Sequence, residues 1–303
     1  MKLILSRKGS DSSNGGVPSP IFPDGRMLSL PIPEQDEWAE ASYRITYEQL
    51  RWPGEPIGDL VEQLTRGSVS REHRAHIDPD IFAGSLARGT GWRPIFGQSD
   101  AAQAHLENQK VGPGDIFLFF GLFREVELKG SFLGFASSSR EKHVIFGWLQ
   151  VDEVVQVVPV AACRARMPWA VYHPHVCSRG YSHNTLYVAS ERLSFDGSRP
   201  GAGVFHQYCE NLRLTAPDQA SSSVWLLPAW FAPNGHKSPL TYHRSRERWG
   251  TVTKQGVLLR SVGRGQEFVL DCDAYPEARG WLAELFHDAP PTRPAGSSEL
   301  SAS

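Results

Sequence analysis

The sequence predicts an α+β fold: a mixed, strand-rich sheet or partly closed barrel with flanking helices. Three observations lead there. Runs of β-branched and aromatic residues outnumber helical runs. Apolar residues at helical spacing are confined to a few short segments. Glycine and proline, 28 and 22 of 303 residues, are spread along the chain and imply many turns.

Taken in order, Lys2 to Arg7 reads as an opening strand. A loop dense in Gly, Ser, Pro and Asp follows, SRKGSDSSNGGVPSPIFPDGR, of a kind whose successive N–H groups form a concave anion receptor. Gly25 to Ile32 is expected to return as a strand paired with the first. Apolar residues at 57, 60, 61 and 64 predict a helix over Ile57 to Thr65, and Ser99-Asp100 caps a second reaching about Lys110. Asp115 to Phe123 and Val144 to Val158 are nearly continuous apolar runs, the pattern of central strands. Further strands are expected at Thr185 to Ala189, Val224 to Phe231, Gly256 to Val262 and Glu267 to Leu270. Tyr275 to Phe286 gathers Trp281, Leu282, Leu285 and Phe286 on one helical face. Residues 289–303 are poor in apolar side chains and are expected to be a disordered tail. The turn-plus-strand pair between about 110 and 160, VGPGDIFLFF with HVIFGWLQVDEVV, resembles the small barrels of the PUA, ASCH and EVE superfamily.

Composition narrows the function. With 31 basic and 33 acidic side chains the formal charge is −2, which argues against sequence-blind binding to long DNA and leaves a single nucleotide or short strand in a local basic pocket. Only seven of the basic residues are lysine, and arginine's planar fork suits phosphate. No run approaches a membrane span. Cysteines 163, 177, 209 and 272 have no paired spacing, and the N-terminal apolar run is too short for a secretory core, so a cytoplasmic protein with reduced thiols is expected. The sequence contains no GxxxxGK[ST], GxSxG, HExxH, GxGxxG or zinc-deaminase pattern.

Four polar clusters carry the candidate chemistry. The N-terminal loop supplies Lys8, Asp11, Ser12 and Ser13. In REHRAHIDPDI, His76-x-Asp78 places an imidazole and a carboxylate on one side of an extended segment, with Asp80 as a further oxygen. A distant histidine would complete the two-His-one-carboxylate set that leaves open positions on Fe(II). Asp78-Pro79 also reads as a helix start. The second histidine cluster is YHPHVCSRGYSH, where His173-Pro-His175 is expected to be extended with both rings to one side. In the third, TYHRSRERW, His243 stands beside Arg244, Arg246 and Trp249, an arrangement suited to stacking a base and pairing a phosphate. Gln266 and Glu267 could read a base edge or support a ligand.

Several of these segments together resemble one family: SRKGSDSSNGGVPSPIFPDGRMLSLPIP, HIDPDI, GPGDIFLFFGLFRE, HPHV…NTLYVASERLSFDG, WLLPAWF…PLTYH…RW and GQEFVLD. They resemble the nucleotide-modification-associated domain family, the third of that naming series. The likeness runs over about residues 2–286, which implies one integrated domain, 1–288. It also implies that Asp11, Ser12, Ser13, Asp78, Asp80, His175, His243 and Glu267 line a pocket.

The expectation is an enzyme acting on a nucleotide or nucleic-acid base, possessing a divalent metal, iron by ligand type. Its ligands would be His76, Asp78, His175 and His243, with Asp11, Ser12, Ser13, Asp80 and Glu267 catalytic and Lys8, Arg244, Arg246, Trp249 and Gln266 on the substrate. Two alternatives stand beside it. One is a non-catalytic reader of modified bases with an aromatic cage near Phe119, Phe123 and Trp148. The other is an Fe(II) oxygenase with a small-molecule substrate.

Overall fold

The computed structural model describes residues 1–34, 44–52, 55–177, 181–235, 239–263 and 267–288. Its strands are β1 Lys2–Arg7, β2 Ser19–Ile21, β3 Ile32–Pro33, β4 Arg51–Trp52, β5 Glu55–Pro56, β6 Ala75–His76, β7 Ile95–Gln98 and β8 Ile116–Lys129. They continue as β9 Phe132–Phe135, β10 Lys142–Gln156, β11 Thr185–Ala189, β12 Ala202–Val204, β13 Val224–Leu227, β14 Val257–Arg260 and β15 Glu267–Asp271. The α-helices are α1 Ile57–Thr65, α2 Asp100–Asn108, α3 Val160–Arg166, α4 Pro174–Cys177 and α5 Glu277–Asp288. The architecture is α+β, as the sequence predicts.

A mixed nine-stranded sheet runs β15-β1-β8-β10-β11-β7, with β2 and β9 also on β8 and β12 also on β10. β8 and β10 form its centre, and the first eight residues of β8 are all buried, as an uninterrupted apolar run requires. β8 extends past Phe123 because REVELK alternates polar and apolar residues, and it turns back through β9. One face packs Phe117 and Phe119 against Phe96 and Tyr187. The other packs Phe120 against Trp225 and Phe268. On α5, Phe286 meets Trp148 and Phe205, and Trp281 meets Phe231.

No closed barrel forms. The edge strands β7 and β15 share no backbone ladder, but the Gln98 amide donates to Glu267 Oε1 at 2.5 Å, so side chains bring the two edges together. Two smaller cores flank the sheet. One gathers Ile57, Val61 and Leu64 of α1 with Tyr47, Trp52 and Ile77. The other gathers Val157, Cys163, Met167, Val176 and Leu186 around α3 and α4.

Four local expectations need correction. Gly25 to Ile32 is not a strand on β1: Arg26 and Met27 make isolated bridges to Gln207 and Ile21, Ile32–Pro33 pairs with β6, and β1 lies between β15 and β8. Asp78-Pro79 starts no helix, since Asp80 bridges Ile95 in extended backbone. Pro174 and His175 begin the short α4, because Pro at a first helical position needs no N–H partner. Phe119, Phe123 and Trp148 form no cage; each is fully buried in the main core. The tail expected at 289–303 lies outside the described residues.

Candidate metal centre

The site forms where the three cores meet. β6 supplies His76 from the α1 side, α4 supplies His175 from the α3 side, Lys8 follows the end of β1, and the edge strands β7 and β15 supply Gln98 and Glu267. His76, Asp78 and His175 each offer one ligand atom, and the three atoms lie within 4.8 Å of one another. A cleft of about 220 Å³ opens onto them, lined also by Arg7, Lys8, Asp11, Gln98, Ser99 and Tyr181.

Each of the three side chains is held by a second group. His76 Nδ1 lies 2.7 Å from Glu34 Oε2. His175 Nδ1 lies 2.7 Å from Asn184 Oδ1, and the Asn184 amide donates back to the His175 carbonyl at 2.7 Å. Both partner oxygens accept, so both imidazoles carry their proton on Nδ1 and keep the Nε2 lone pair free. His175 Nε2 is 3.9 Å from Asp78 Oδ2. Asp78 Oδ1 meanwhile accepts the Gly97 N–H at 2.7 Å, which fixes the carboxylate. Tyr181 stacks on the His175 ring at 4.6 Å between centroids.

The electrostatics suit a cation. Burial, the largest influence on His175, pushes it down to about 3 against the pull of Asp78, so the ring is neutral at pH 7. Burial works against the charge of Asp78, but His173, Lys8 and His175 hold its carboxyl well below the usual range. Lys8 Nζ stands 4.0 Å from Asp78 and 3.5 Å from Glu267, over the Phe96 ring. Burial pushes the Glu267 carboxyl up, with Lys8 opposing, and its Oε2 has no hydrogen-bond partner among the described residues.

The sequence-derived residues divide sharply. Lys8, Asp11, His76, Asp78 and His175 line one cleft, and Glu267 stands behind Lys8. Asp11 Oδ1 accepts the N–H groups of Ser13 and Asn14, both at 2.8 Å, so the loop's own carboxylate occupies amides expected to receive an anion. Ser12 and Ser13 are exposed and do not line the cleft. Asp80 is a structural knot: Arg88 closes on it with bonds of 2.8 and 2.6 Å, and Tyr172 and Trp92 donate to it as well.

His243 is not part of this centre. Its Nδ1 donates to the Thr241 carbonyl at 2.9 Å, its Nε2 accepts the Val262 N–H at 3.2 Å, and its ring packs on Phe268, on the other face of the sheet from the cleft. Both nitrogens are committed to backbone, which leaves no lone pair for a metal. Arg244 and Arg246 are exposed away from the cleft lining, and the Trp249 indole donates to the His243 carbonyl at 2.7 Å. Gln266 lies outside the described residues. Composition did not single out Glu34, Gly97, Gln98, Tyr181 or Asn184, and Arg7 carried no expectation.

Fold and site together define an α+β protein with a curled mixed sheet and a His–Asp–His cluster at its meeting edges. Residues 2–271 match the family described as nucleotide modification associated domain 3, and the chain belongs to that family. No curated protein and no solved structure matches the chain. The family description ties the protein to nucleotide modification. Among the described residues no helix is long and apolar enough to cross a membrane.

Proposed function

We propose that the chain is an enzyme acting on a nucleotide or nucleic-acid base in this cleft, with a divalent metal, iron by ligand type, held by His76, Asp78 and His175. The observation that carries the reading is the paired orientation of the histidines. Glu34 and Asn184 hold each Nδ1, which leaves each Nε2 lone pair free, and one ligand atom from each histidine gathers with an Asp78 oxygen. Outer partners of this kind orient metal-bound imidazoles, and two histidines with one carboxylate leave coordination positions open for a reacting molecule.

The chain's own groups then have definite work. The Gly97 N–H, with His173 and His175, holds Asp78, Lys8 balances the buried carboxylates, and Tyr181 covers the His175 ring. Asp11 and Gln98 present polar groups to a ligand in the cleft. Four free cysteines support a reducing, cytoplasmic setting.

The direct test incubates the Fe(II)-loaded full chain with the deoxynucleotides and with short oligonucleotides, with and without oxygen and 2-oxoglutarate, and follows products by mass spectrometry. A metal-dependent mass change in a nucleotide or base, lost in His175→Ala, supports the reading. Metal binding without turnover of any of them contradicts the enzyme assignment, and discrimination between modified and plain bases would then favour a reader.

A further inference from the structure

We infer that Lys8 receives an oxyanion of the substrate beside the open positions of the centre, and that Glu267 is the buried positioning residue that holds Lys8 there; the inference rests on the metal reading above. Lys8 follows β1, and its N–H donates to the Phe120 carbonyl at 2.9 Å, so the strand's alternation runs one position further. Arg7 therefore points to the sheet face of His143, and Lys8 to the face of Phe96, where it lines the cleft.

The Lys8 ammonium is placed without being closely bonded. Its Nζ stands 4.0 Å from Asp78 Oδ2 and 3.5 Å from Glu267 Oε1. Both separations exceed the roughly 2.7–3.2 Å of a formed N–H···O bond. None of its three N–H donors is fully taken up, although the side chain is nearly buried.

Glu267 is placed for a supporting role. It is buried, does not line the cleft, and has its Oε1 fixed by the Gln98 amide at 2.5 Å. Burial works against its charge, while Lys8, Ser6 and Gln98 favour it. Lys8 is the one cation within ion-pair distance of it among the described residues.

In the metal-free chain one ammonium serves two carboxylates. A divalent ion on Asp78 takes up that carboxylate's charge and repels the ammonium. Glu267 is then the acid that keeps Lys8 in the cleft. An ammonium held beside a metal ion makes the inner cleft positive and leaves N–H donors unused, which favours an oxyanion. The phosphate of a nucleotide and the carboxylate of a 2-oxo acid share this chemistry.

Isothermal titration calorimetry on the Mn(II)-loaded and metal-free full chain tests this with inorganic phosphate, the four deoxynucleosides, their 5′-monophosphates and 2-oxoglutarate. At least one oxyanion should bind the loaded chain about tenfold or more tightly than the metal-free chain. Lys8→Met should lower that affinity about tenfold or more with Mn(II) retained. Glu267→Gln, which removes the charge but keeps an acceptor for Gln98, should lower it about threefold or more. The double variant leaves neither charge unpaired and should bind no more weakly than Lys8→Met, because Glu267 acts through Lys8. Preference for a monophosphate over its nucleoside assigns the oxyanion to phosphate, and strongest binding of 2-oxoglutarate assigns it to carboxylate. Absence of oxyanion binding to the loaded wild-type chain, unchanged affinity in folded Lys8→Met or Glu267→Gln, additive losses, or Mn(II) lost from the double variant overturns the inference and leaves the centre standing. A wild-type chain that takes up no Mn(II) sinks the centre, and this inference with it.

Discussion

The His175 ring lies against the backbone of Gly97 so closely that a Cβ at position 97 would overlap it. The same glycine's N–H holds Asp78. One residue of β7 thus seats a histidine and orients the carboxylate that faces it. Gly97→Ala should keep the amide yet push the ring away, lowering divalent-metal affinity by about tenfold or more. Competitive titration against a fluorescent chelator measures this, and an unchanged affinity would show that the ring position is irrelevant to binding.

The outer partners give an independent test. Glu34→Ala and Asn184→Ala leave all three ligands in place but release one Nδ1 each. Metal affinity should fall roughly 10- to 100-fold in each variant, the range typical of outer-shell losses.

Asp80 should behave differently. It is buried, and removing it strands the Arg88 guanidinium inside the fold. Asp80→Ala is expected to cost about 3 kcal/mol of stability, read by urea denaturation, with metal stoichiometry unchanged below the unfolding transition. A loss of metal without loss of stability would return Asp80 to the site.

Stability of the metal-free chain should fall on mild acidification. Burial pushes His143 down to about 3 and His243 down to about 4. Both are depressed below the value near 6.5 expected of an unfolded chain. Between these values the unfolded state binds more protons, so stability is complete above about pH 6.5 and declines as pH falls toward 4. Thermal melts across that window should show it, and His243→Gln should flatten the slope. A melting temperature that rises on acidification would contradict the burial of these rings.

Much of this was readable from residue order, for identifiable reasons. α1 and α5 follow from helical spacing, and β8 and β10 from continuous apolar runs. α2 begins after Ser99 as expected, but the Ser99 hydroxyl donates to Asp100 Oδ2 and caps no backbone N–H. His76 and Asp78 converge because residues two apart on extended backbone share a side. His243 was misplaced because a histidine's neighbours in sequence do not reveal which face of a sheet it takes, and here two backbone groups claim it. Glu34, Asn184 and Gly97 were invisible because each acts through a single long-range contact that no local pattern encodes. The edge-to-edge bond from Gln98 to Glu267 spans 169 positions and likewise leaves no local trace.

Metal stoichiometry tests the central claim most directly. The purified full chain, incubated anaerobically with Fe(II) and separately with Mn(II), desalted and measured by plasma mass spectrometry, should retain about one ion per chain. Asp78→Ala and His175→Ala should retain none while keeping the wild-type circular dichroism, and His243→Gln should bind as the wild type does. Full occupancy in folded His175→Ala, or no retained ion in the wild-type chain, would show that the convergence of His76, Asp78 and His175 is not a metal site.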